Sequence, residues 1–429
     1  MTRPPLPAGP YLVVGLARSG SAAARALLAR GESVIGTDRD GLPAPEGAET
    51  AQDGLEALDR AGCVVKSPGV ASSEPLIAAA RERGVPVIGE LELAWRLLEN
   101  DFIAVTGTNG KTTTVELLGA IHEACGVPAV VAGNVGRAAS LLAIPPIVAP
   151  DATIVCEASS FQLEDTLAFA PRAAVLLNIA PDHLDRHADM AAYTAAKLRA
   201  FVNQTSGDLA VLPLGSSAGG DAARVTFGTA ERADMRLAGE RLWWRGEAFV
   251  DRSQIRLRGP HNAENAMAAA AVALSRGLDA GGVRRALGEF AGVEHRLEEV
   301  ASIDGVLFVN DSKATNVASA LVALRSFEPG TIHLILGGRG KGEDFGGLRA
   351  DVAARARAVY LVGEAAEEIG EALHGLATRR SGTLEQAVAD ARAGARAGEV
   401  VLLSPACTSF DQFRDYEERG EAFRALARG

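Results

Sequence analysis

The segment FIAVTGTNGKTTTVELLGAI, residues 102–121, decides the fold class. An apolar run of strand length leads into a turn with Gly107 and Gly110, and a stretch with helical spacing follows. Such glycines let backbone N–H groups approach an anion, the helix N-terminus adds positive dipole, Lys111 neutralises phosphate oxygens and a Thr hydroxyl can bind Mg²⁺. The strict G-x-x-x-x-G-K-[ST] pattern is not met, because Val105 stands where its first Gly should be. The order of strand, loop and helix nevertheless favours a nucleotide site over a tight turn with a solvated lysine. The predicted ATP-binding residues of this loop are Gly107, Thr108, Asn109, Gly110, Lys111, Thr112 and Thr113.

The rest of the chain repeats this pattern of strand, turn and helix. Apolar runs of strand length recur, each followed by a glycine-containing turn and an Ala/Leu/Arg-rich stretch with helical spacing. This alternation is typical of parallel α/β layers. At about 150 residues per domain, the 429 residues correspond to about three domains. We therefore predict an α/β protein with a Rossmann-like domain at 1–98, a central P-loop ATPase-type domain at 99–294 and a C-terminal Rossmann-like domain at 295–429.

Composition excludes several classes of protein. The formal net charge of −11 and the lack of long basic runs argue against a broad nucleic-acid surface. The four cysteines are scattered without metal-ligand spacing, so reduced thiols in the cytosol are the simpler interpretation. The N-terminal residues make a poor signal peptide, and no stretch approaches the roughly 18 apolar residues of a membrane span. We expect a cytoplasmic protein that acts on small molecules, without a nucleic-acid or membrane partner.

Acidic and histidine side chains follow two further strands of the central block. Glu157 ends the apolar run ATIVCE, and the run AAVLLN leads into NIAPDHLDRH. The second segment contains Asp182, His183, Asp185 and His187. Taken singly, Glu157 could be an exposed strand-end acid and the cluster a solvated loop. Because the carboxyl ends of parallel strands meet at one edge of a sheet, we expect these groups beside the phosphate loop, where Mg²⁺ needs oxygen ligands.

Three weaker signals lie outside the strand ends of the central block. The turn VVGLARSG is as compatible with packing alone as with an anion facing Ser19, and Asp38 and Arg39 end the next strand where a ribose or base could be touched. By local sequence, Lys197 in YTAAKLRAF is an ordinary exposed helix lysine. Asn262 and Asn265 share one helix face, where their amides could cap the helix or hold an adenine or ribose.

The third block offers polar loops after three apolar runs. The simple interpretation is three ordinary α/β turns. Their shared position beyond strand ends, with cations and hydroxyls, suits a dianionic amino acid better. The candidate residues are Asp311, Ser312, Lys313, Thr315, Asn316, Arg339, Lys341, Ser404, Ser409 and Phe410.

Eight motifs along the chain resemble those of the Mur ligase family in order and spacing. They are TGTNGKTT, EASSFQL, PDHLDRH, HNAENAMAA, EHRLE, NDSKATN, GGRGKGEDF and SPACTSFDQF. The pair NDSKATN and SPACTSFDQF resembles the family members that add D-glutamate to UDP-N-acetylmuramoyl-L-alanine. Other ligases of the family differ at these two motifs. So does folylpolyglutamate synthetase, which is the alternative enzyme activity for this chain. A nucleotide-binding regulator without turnover is the alternative from another class, and retention of Lys111, Glu157, His183 and Lys197 argues against it.

The resemblance implies a UDP-binding domain, a central ATPase domain and a C-terminal domain that brings in the amino acid. It also implies ATP with two Mg²⁺ ions, and a monomer is expected. The implied catalytic residues are Lys111, His183 and Lys197, and the implied metal ligands are Thr112, Glu157, His183 and Lys197 as a carbamate. The implied residues around adenine, phosphate and ribose are Asn265, Arg296 and Asp311. The implied substrate-binding residues are Arg18, Ser19, Asp38, Arg39 and Asn134 for the UDP substrate, and Thr315, Lys341, Ser409 and Phe410 for D-glutamate. Some members of the family carry an acidic residue at the position of Pro181. This difference does not affect His183, which is present in this chain.

Overall fold

A computed structural model describes the protein at residues 3–183 and 186–429. The chain folds as two compact units. One unit contains the residues up to Ile255 together with His261–Phe290, and the other contains Arg256–Pro260 and Ala291–Gly429. The first unit holds two β-sheets and the second unit holds one.

The first sheet is fully parallel and has the strand order β3-β2-β1-β4-β5. Its elements are β1 (Tyr11–Val14), α1 (Arg18–Leu28), β2 (Val34–Thr37), β3 (Glu49–Thr50), α2 (Gly54–Leu58), β4 (Cys63–Lys66), α3 (Pro75–Glu82), β5 (Val87–Gly89) and α4 (Glu90–Leu97). Strands β1 and β4 are buried along their whole length, because helices cover both faces of a parallel sheet.

The second sheet has nine strands in the order β14-β13-β12-β11-β10-β9-β6-β8-β7. Its elements begin with β6 (Phe102–Thr106), α5 (Lys111–Ala124), β7 (Ala129–Gly133), β8 (Thr153–Glu157), α6 (Ser160–Leu163), β9 (Ala173–Leu176) and α7 (Met190–Val202). They continue with β10 (Leu209–Pro213), β11 (Ala223–Gly228), β12 (Met235–Ala238), β13 (Arg241–Trp244), β14 (Glu247–Asp251), α8 (Pro260–Ser275) and α9 (Ala280–Glu289). Short 3₁₀ segments cover Ala139–Ala143 and Arg252–Gln254. Strands β12 to β14 pair antiparallel and extend a parallel sheet at one edge.

The third sheet has the order β15-β16-β20-β17-β18-β19, with β15 antiparallel to β16 and the other pairs parallel. Its strands are β15 (Glu298–Ile303), β16 (Val306–Asn310), β17 (Ile332–Gly337), β18 (Ala356–Val362), β19 (Thr378–Gly382) and β20 (Val400–Leu403). Its helices are α10 (Val317–Leu324), α11 (Arg349–Arg355), α12 (Ala366–Ala372), α13 (Leu384–Gly394) and α14 (Tyr416–Arg428), with a 3₁₀ segment at Phe345–Leu348.

Each predicted block therefore contains one sheet, and the predicted α/β class is confirmed. The antiparallel ribbon β12 to β14 and the strand β15 were not predicted. The domain boundaries after residues 98 and 294 stay predictions, because the compact units group the first two sheets together.

The order of the central strands positions the candidate site. Strands β9, β6, β8 and β7 are neighbours and run parallel, so the segments after them share one edge of the sheet. Those segments hold Asn178, the phosphate loop at 107–110 and Asn134, and Glu157 is the last residue of β8 at the same edge.

Candidate functional site

The phosphate loop ends in a left-handed glycine that helix α8 touches. Gly110 has φ +87° and precedes the first residue of α5, Lys111. A Cβ at this position would clash with Oδ1 of Asn265, whose amide nitrogen donates to Oδ1 of Asn262 at 3.0 Å. Only glycine combines this φ with this close approach. The two asparagines predicted to share a face are thus hydrogen-bonded to each other against the loop.

Asn178, which was not predicted, fixes the middle of the loop. Its Oδ1 accepts from the backbone N–H of Asn109 at 2.9 Å, its amide donates to the Asn109 carbonyl at 3.1 Å, and its carbonyl accepts from the N–H of Thr108 at 3.0 Å. Asn178 follows β9, the neighbour of β6. The segment after β9 therefore holds the middle of the loop through three hydrogen bonds.

Two lysines converge on the same loop. The Lys111 ammonium donates to the carbonyls of Gly107 and Thr108 at 2.9 and 2.8 Å. The Lys197 ammonium donates to the Gly107 carbonyl at 2.8 Å and lies 4.5 Å from the ring centroid of Tyr193. The Tyr193 hydroxyl in turn lies 3.1 Å from Oγ1 of Thr108. The loop therefore carries two closely placed amines.

The exposed position expected of Lys197 from local sequence is wrong. The residue is 1% exposed. Burial, with the nearby Lys111 ammonium, lowers the pKa of Lys197 to about 7. Its helix α7 buries Tyr193, Ala196 and Ala200 on the same face. The burial of Lys197 could have been predicted from the sequence, because the spacing i, i+3, i+4, i+7 from Tyr193 to Ala200 places it on the apolar face of the helix.

Glu157 is buried at the end of β8 and is 2% exposed, so the alternative of an exposed strand-end acid is wrong. Its Oε2 accepts from the hydroxyl of Thr112 at 2.8 Å, and its Oε1 accepts from the amide of Asn134 at 3.0 Å. One carboxylate thus connects the start of α5 with the segment after β7.

His183 lies in an aromatic cluster beside this edge. Its ring centroid is 4.9 Å from that of Phe161 and 6.3 Å from that of Tyr193, and its φ is +54°. His187 is buried, stacks on Phe161 and lies 3.0 Å from the hydroxyl of Ser160, while burial lowers its pKa. Asp185, the third member of the predicted cluster, lies outside the described residues.

The predicted UDP-substrate residues occupy the turns of the first sheet. Asp38 accepts from the backbone N–H groups of Leu16 at 2.6 Å and Asp40 at 2.9 Å. Desolvation acts to raise the pKa of Asp38, and these backbone bonds outweigh it, so the pKa is lowered. Arg39 is exposed, and Arg18 donates to a carbonyl of the segment after β7, at Gly136. Ser19 lies half-buried in the first turn of α1.

In the second unit, Asp311 is buried at the end of β16. Its carboxylate accepts from the Ser404 hydroxyl at 2.7 Å and from the N–H of Leu297 at 3.2 Å. Burial raises the pKa of Asp311 to about 7, with Ser404 and the cation of Arg296 acting against it. Arg296, predicted near phosphate, is therefore an electrostatic neighbour of Asp311.

The predicted glutamate residues lie in three loops of the second unit. The Lys341 ammonium lies 3.4 Å from Oγ1 of Thr315, which brings the loops after β16 and β17 together. Ser409 is buried and Phe410 is 60% exposed in the loop after β20.

Arg419, which was not predicted, holds two of these loops. It is 2% exposed, and its guanidinium donates to the hydroxyl and carbonyl of Ser312 at 2.9 Å. It also donates to the carbonyls of Cys407 at 3.1 Å and Thr408 at 3.2 Å. A planar fork with five donors suits this role. It follows the motif SPACTSFDQF on α14 but belongs to none of the quoted motifs, and an arginine on a helix is usually solvated, so the sequence gave no signal.

Comparisons with known proteins identify the family of this chain. Family models of the Mur ligase middle domain and of the Mur ligase glutamate ligase domain match residues 105–273 and 295–407. The UDP-N-acetylmuramoylalanine–D-glutamate ligase of Acidobacterium capsulatum is 43% identical, with 97% of this chain and 95% of the relative covered. Its counterpart in Geotalea uraniireducens is 44% identical, with 97% and 96% covered. The chain belongs to the Mur ligase family.

Solved Mur ligases share the fold. UDP-N-acetylmuramate–alanine ligase MurC of Thermotoga maritima matches with a TM-score of 0.61 at 19% identity, over 98% of this chain and 99% of that one. MurF of the same organism, solved in complex with ADP, matches with a TM-score of 0.62 at 16% identity, over 99% and 96%. The predicted family of this Mur ligase is confirmed by its relatives, and the predicted fold class by these solved structures.

The oxygen donors of this Mur ligase suit Mg²⁺ held together with phosphate. Within residues 3–183 and 186–429, no group of three or more His, Cys, Asp or Glu side chains could hold a metal by itself. Glu157 and Thr112 present a carboxylate and a hydroxyl beside the phosphate loop. Mg²⁺ in nucleotide sites is usually bound by one or two such groups and completed by substrate phosphates. The residues present fit the ion in that form.

No helix in the described part of the chain is both long and apolar enough to cross a membrane.

Proposed function

We propose that this chain joins D-glutamate to UDP-N-acetylmuramoyl-L-alanine, with hydrolysis of ATP to ADP and phosphate, in peptidoglycan precursor synthesis. The observation that carries the proposal is the phosphate loop with the half-buried Lys111, the buried Lys197 and the buried Thr112–Glu157 pair around it. Relatives that bear this activity in their names cover nearly the whole chain, which favours it over a folylpolyglutamate synthetase. A cytoplasmic monomer with three domains is part of the same proposal.

The reaction proceeds in two steps. A carboxylate oxygen of the UDP substrate attacks the γ-phosphorus of ATP. The bond from that phosphorus to the oxygen that bridges the β- and γ-phosphates breaks, ADP departs, and the substrate becomes an acyl phosphate. The amine of D-glutamate then attacks the acyl carbon, loses a proton and displaces inorganic phosphate. Both steps gather negative charge in one place, so catalysis comes mainly from positioning and electrostatic stabilisation.

Lys111 supplies the closest positive charge to the transferred phosphoryl group. Its ammonium donates to two carbonyls of the phosphate loop, at Gly107 and Thr108. Phosphate oxygens compete well for this ammonium, because they carry net negative charge whereas a carbonyl oxygen is only the end of a dipole. Lys111 is therefore placed to exchange carbonyl partners for phosphate.

Two Mg²⁺ ions, when bound, offset the charge of the phosphates and the acyl phosphate. We assign Thr112 and Glu157 to one ion, and His183 with a carbamate of Lys197 to the other. The amide of Asn134 orients Glu157, leaving the remaining lone pairs of its carboxylate available. His183 acts here as a ligand rather than as a general base.

Lys197 is suited to form a carbamate. A free ammonium beside Lys111 adds like charge to a site that needs anions, and burial with that repulsion lowers its pKa to about 7. A neutral amine is the form that attacks CO₂: the new N–C bond forms, one proton leaves, and the product is a carboxylate-like group. The same burial that suppresses the cation thus favours the modification.

The remaining side chains are assigned to the substrates. Around the nucleotide we place Asn265, Arg296 and Asp311; at the UDP substrate, Arg18, Ser19, Asp38, Arg39 and Asn134; and at D-glutamate, Thr315, Lys341, Ser409 and Phe410. The carboxylate of Asp38 already accepts hydrogen bonds from the backbone N–H groups of Leu16 and Asp40. Its role at the UDP substrate is therefore to order the backbone there.

Stepwise phosphate release tests this function. Phosphate should not accumulate with Mg²⁺–ATP alone, should stay below one equivalent when UDP-N-acetylmuramoyl-L-alanine is added, and should become continuous once D-glutamate is present. Continuous release without the amino acid, or equal release with a pterin acceptor in place of the UDP substrate, would contradict the proposal.

Lys341→Ala should raise the KM for D-glutamate by about 10- to 100-fold, because a hydrogen bond to a charged partner contributes roughly 1.5–3 kcal/mol. The KM for ATP should change by less than about threefold. Steady-state kinetics with each substrate varied in turn measure both values. Arg349→Ala is the control, since this exposed guanidinium of the same unit is assigned to no substrate and donates to the Ala372 carbonyl at 3.2 Å. Equal effects on both substrates would count against the placement of Lys341.

A further inference from the structure

A buried ion cluster ties the first sheet to the central one. Lys66, at the end of β4, is fully buried, and its ammonium donates to the Val70 carbonyl at 2.7 Å and to Oε1 of Glu164 at 3.1 Å. It also lies 2.7 Å from Oδ2 of Asp165, as an ion pair without hydrogen-bond alignment. Buried charges persist only when they are paired. The segment after α6 is thereby anchored to the loop after β4.

Arg186 extends this cluster toward the His183 segment. Its guanidinium donates to the carbonyls of Gly69 at 3.2 Å and Pro68 at 3.3 Å, to the Val70 carbonyl, and to Glu164 at 3.4 Å. A guanidinium offers several donors in one plane, so a single side chain can satisfy three consecutive carbonyls. Arg186 thus holds the loop at residues 68–70.

The Arg186 guanidinium also lies over a ring of the aromatic cluster around His183. Its Cζ lies 4.9 Å from the ring centroid of Phe161. Phe161 in turn packs at 4.9 Å against His183 and at 5.5 Å against His187. A cation over an aromatic ring is a favourable contact that fixes the mutual orientation of the two groups. One side chain therefore touches both the loop at 68–70 and the support of His183.

The loop at 68–70 also packs on the first turn of the chain. A Cβ added at Gly15 would lie 2.7 Å from Cγ2 of Val70, and the N–H of Ser67 donates to the carbonyl of Val14 at 3.0 Å. Gly15 opens the turn that carries Ser19, assigned above to the UDP substrate. Contacts therefore run without a break from that turn to His183.

We propose that Arg186 is a positioning residue that couples binding of the UDP substrate to binding of the Mg²⁺–nucleotide. The inference rests on the proposed function. A substrate anion at the Gly15 turn fixes the loop at 68–70, the carbonyls of that loop fix the guanidinium, and the guanidinium fixes Phe161 and His183. Coupling of this kind is reciprocal, so each ligand tightens the other by the same factor.

Calorimetry of UDP-N-acetylmuramoyl-L-alanine binding, with and without Mg²⁺ and a non-hydrolysable ATP analogue, measures the coupling without turnover. The wild type should bind the UDP substrate at least about fivefold tighter when the analogue is present. In Arg186→Gln each ligand should still bind alone, and the ratio should fall to about one. Arg81→Gln is the matched control, because Arg81 donates to Ser72 and Asp165 of the same network but, among the described residues, lies over no aromatic ring.

Arg186→Lys keeps the cation with fewer donors, so the ratio of UDP-substrate affinities with and without the ATP analogue should be intermediate. If Arg186→Gln has a melting temperature well below that of the wild type, Arg186→Lys is the variant to measure. A wild-type ratio of one, a ratio unchanged in Arg186→Gln, or an equal loss in Arg81→Gln would overturn the coupling. Normal binding of both ligands without coupling leaves the proposed function standing. Failure of the wild type to bind the UDP substrate overturns the function and the coupling together.

Discussion

Lys111→Ala should lower the rate of ATP-dependent ligation by at least about 10²- to 10³-fold, the usual effect of removing one preorganised donor from a developing charge. The ammonium donates to the carbonyls of Thr108 and Gly107 at 2.8 and 2.9 Å, and because Lys111 is only half-buried, water can replace it at these carbonyls. The melting temperature should therefore change little. Turnover and thermal denaturation of the purified variant measure both effects.

Glu123→Ala is the control for Lys111→Ala. Glu123 is exposed near the opposite end of the same helix, so its removal should leave turnover unchanged. Near-normal turnover of Lys111→Ala would remove the phosphate loop from the mechanism. A large loss in Glu123→Ala would show that α5 responds to any substitution.

Lys197→Ala should be nearly inactive, and a small carboxylate such as acetate should restore part of the rate. The substitution removes a buried amine that bonds to the Gly107 carbonyl and lies over Tyr193. If the carbamate is the working form, a free carboxylate can occupy the vacated ligand position, since both present the same pair of oxygens. Titration of the activity of the variant with acetate measures the rescue.

Two variants make the Lys197 result specific. Acetate should not rescue Lys111→Ala, because that ammonium acts as a cation. Lys197→Arg should stay inactive, since it keeps the positive charge but cannot form the carbamate. Full activity of Lys197→Arg, together with an unmodified lysine in well-ordered density at neutral pH, would refute the carbamate.

The phosphate loop and the three sheets follow from patterns that act locally. A buried strand, a left-handed glycine such as Gly110 and a helix opening at Lys111 are set by neighbours in sequence. The carboxyl ends of β6 and β8 then had to share an edge, which is why Glu157 could be placed beside the loop before any contact was known.

Residues that act through distant contacts could not be found in this way. Asn178 and Arg419 look like ordinary polar residues until the fold brings them to loops encoded far away. Lys197 was misjudged locally because a lysine is usually solvated, whereas here α7 turns it inward with Tyr193. The antiparallel strands β12 to β14 were missed since the alternation of strand and helix, on which the prediction depended, stops there.

Isotope transfer tests the central claim most directly. The enzyme is incubated with ATP, Mg²⁺, D-glutamate and UDP-N-acetylmuramoyl-L-alanine labelled with ¹⁸O in both oxygens of its alanine carboxylate. The ¹⁸O content of the released phosphate and of the amide product is measured by mass spectrometry. Formation of an acyl phosphate and its displacement by the amine predict one ¹⁸O in the released phosphate, one in the new amide, and one ADP for each amide formed. Unlabelled phosphate, or ADP release without a product extended by glutamate, would contradict the account.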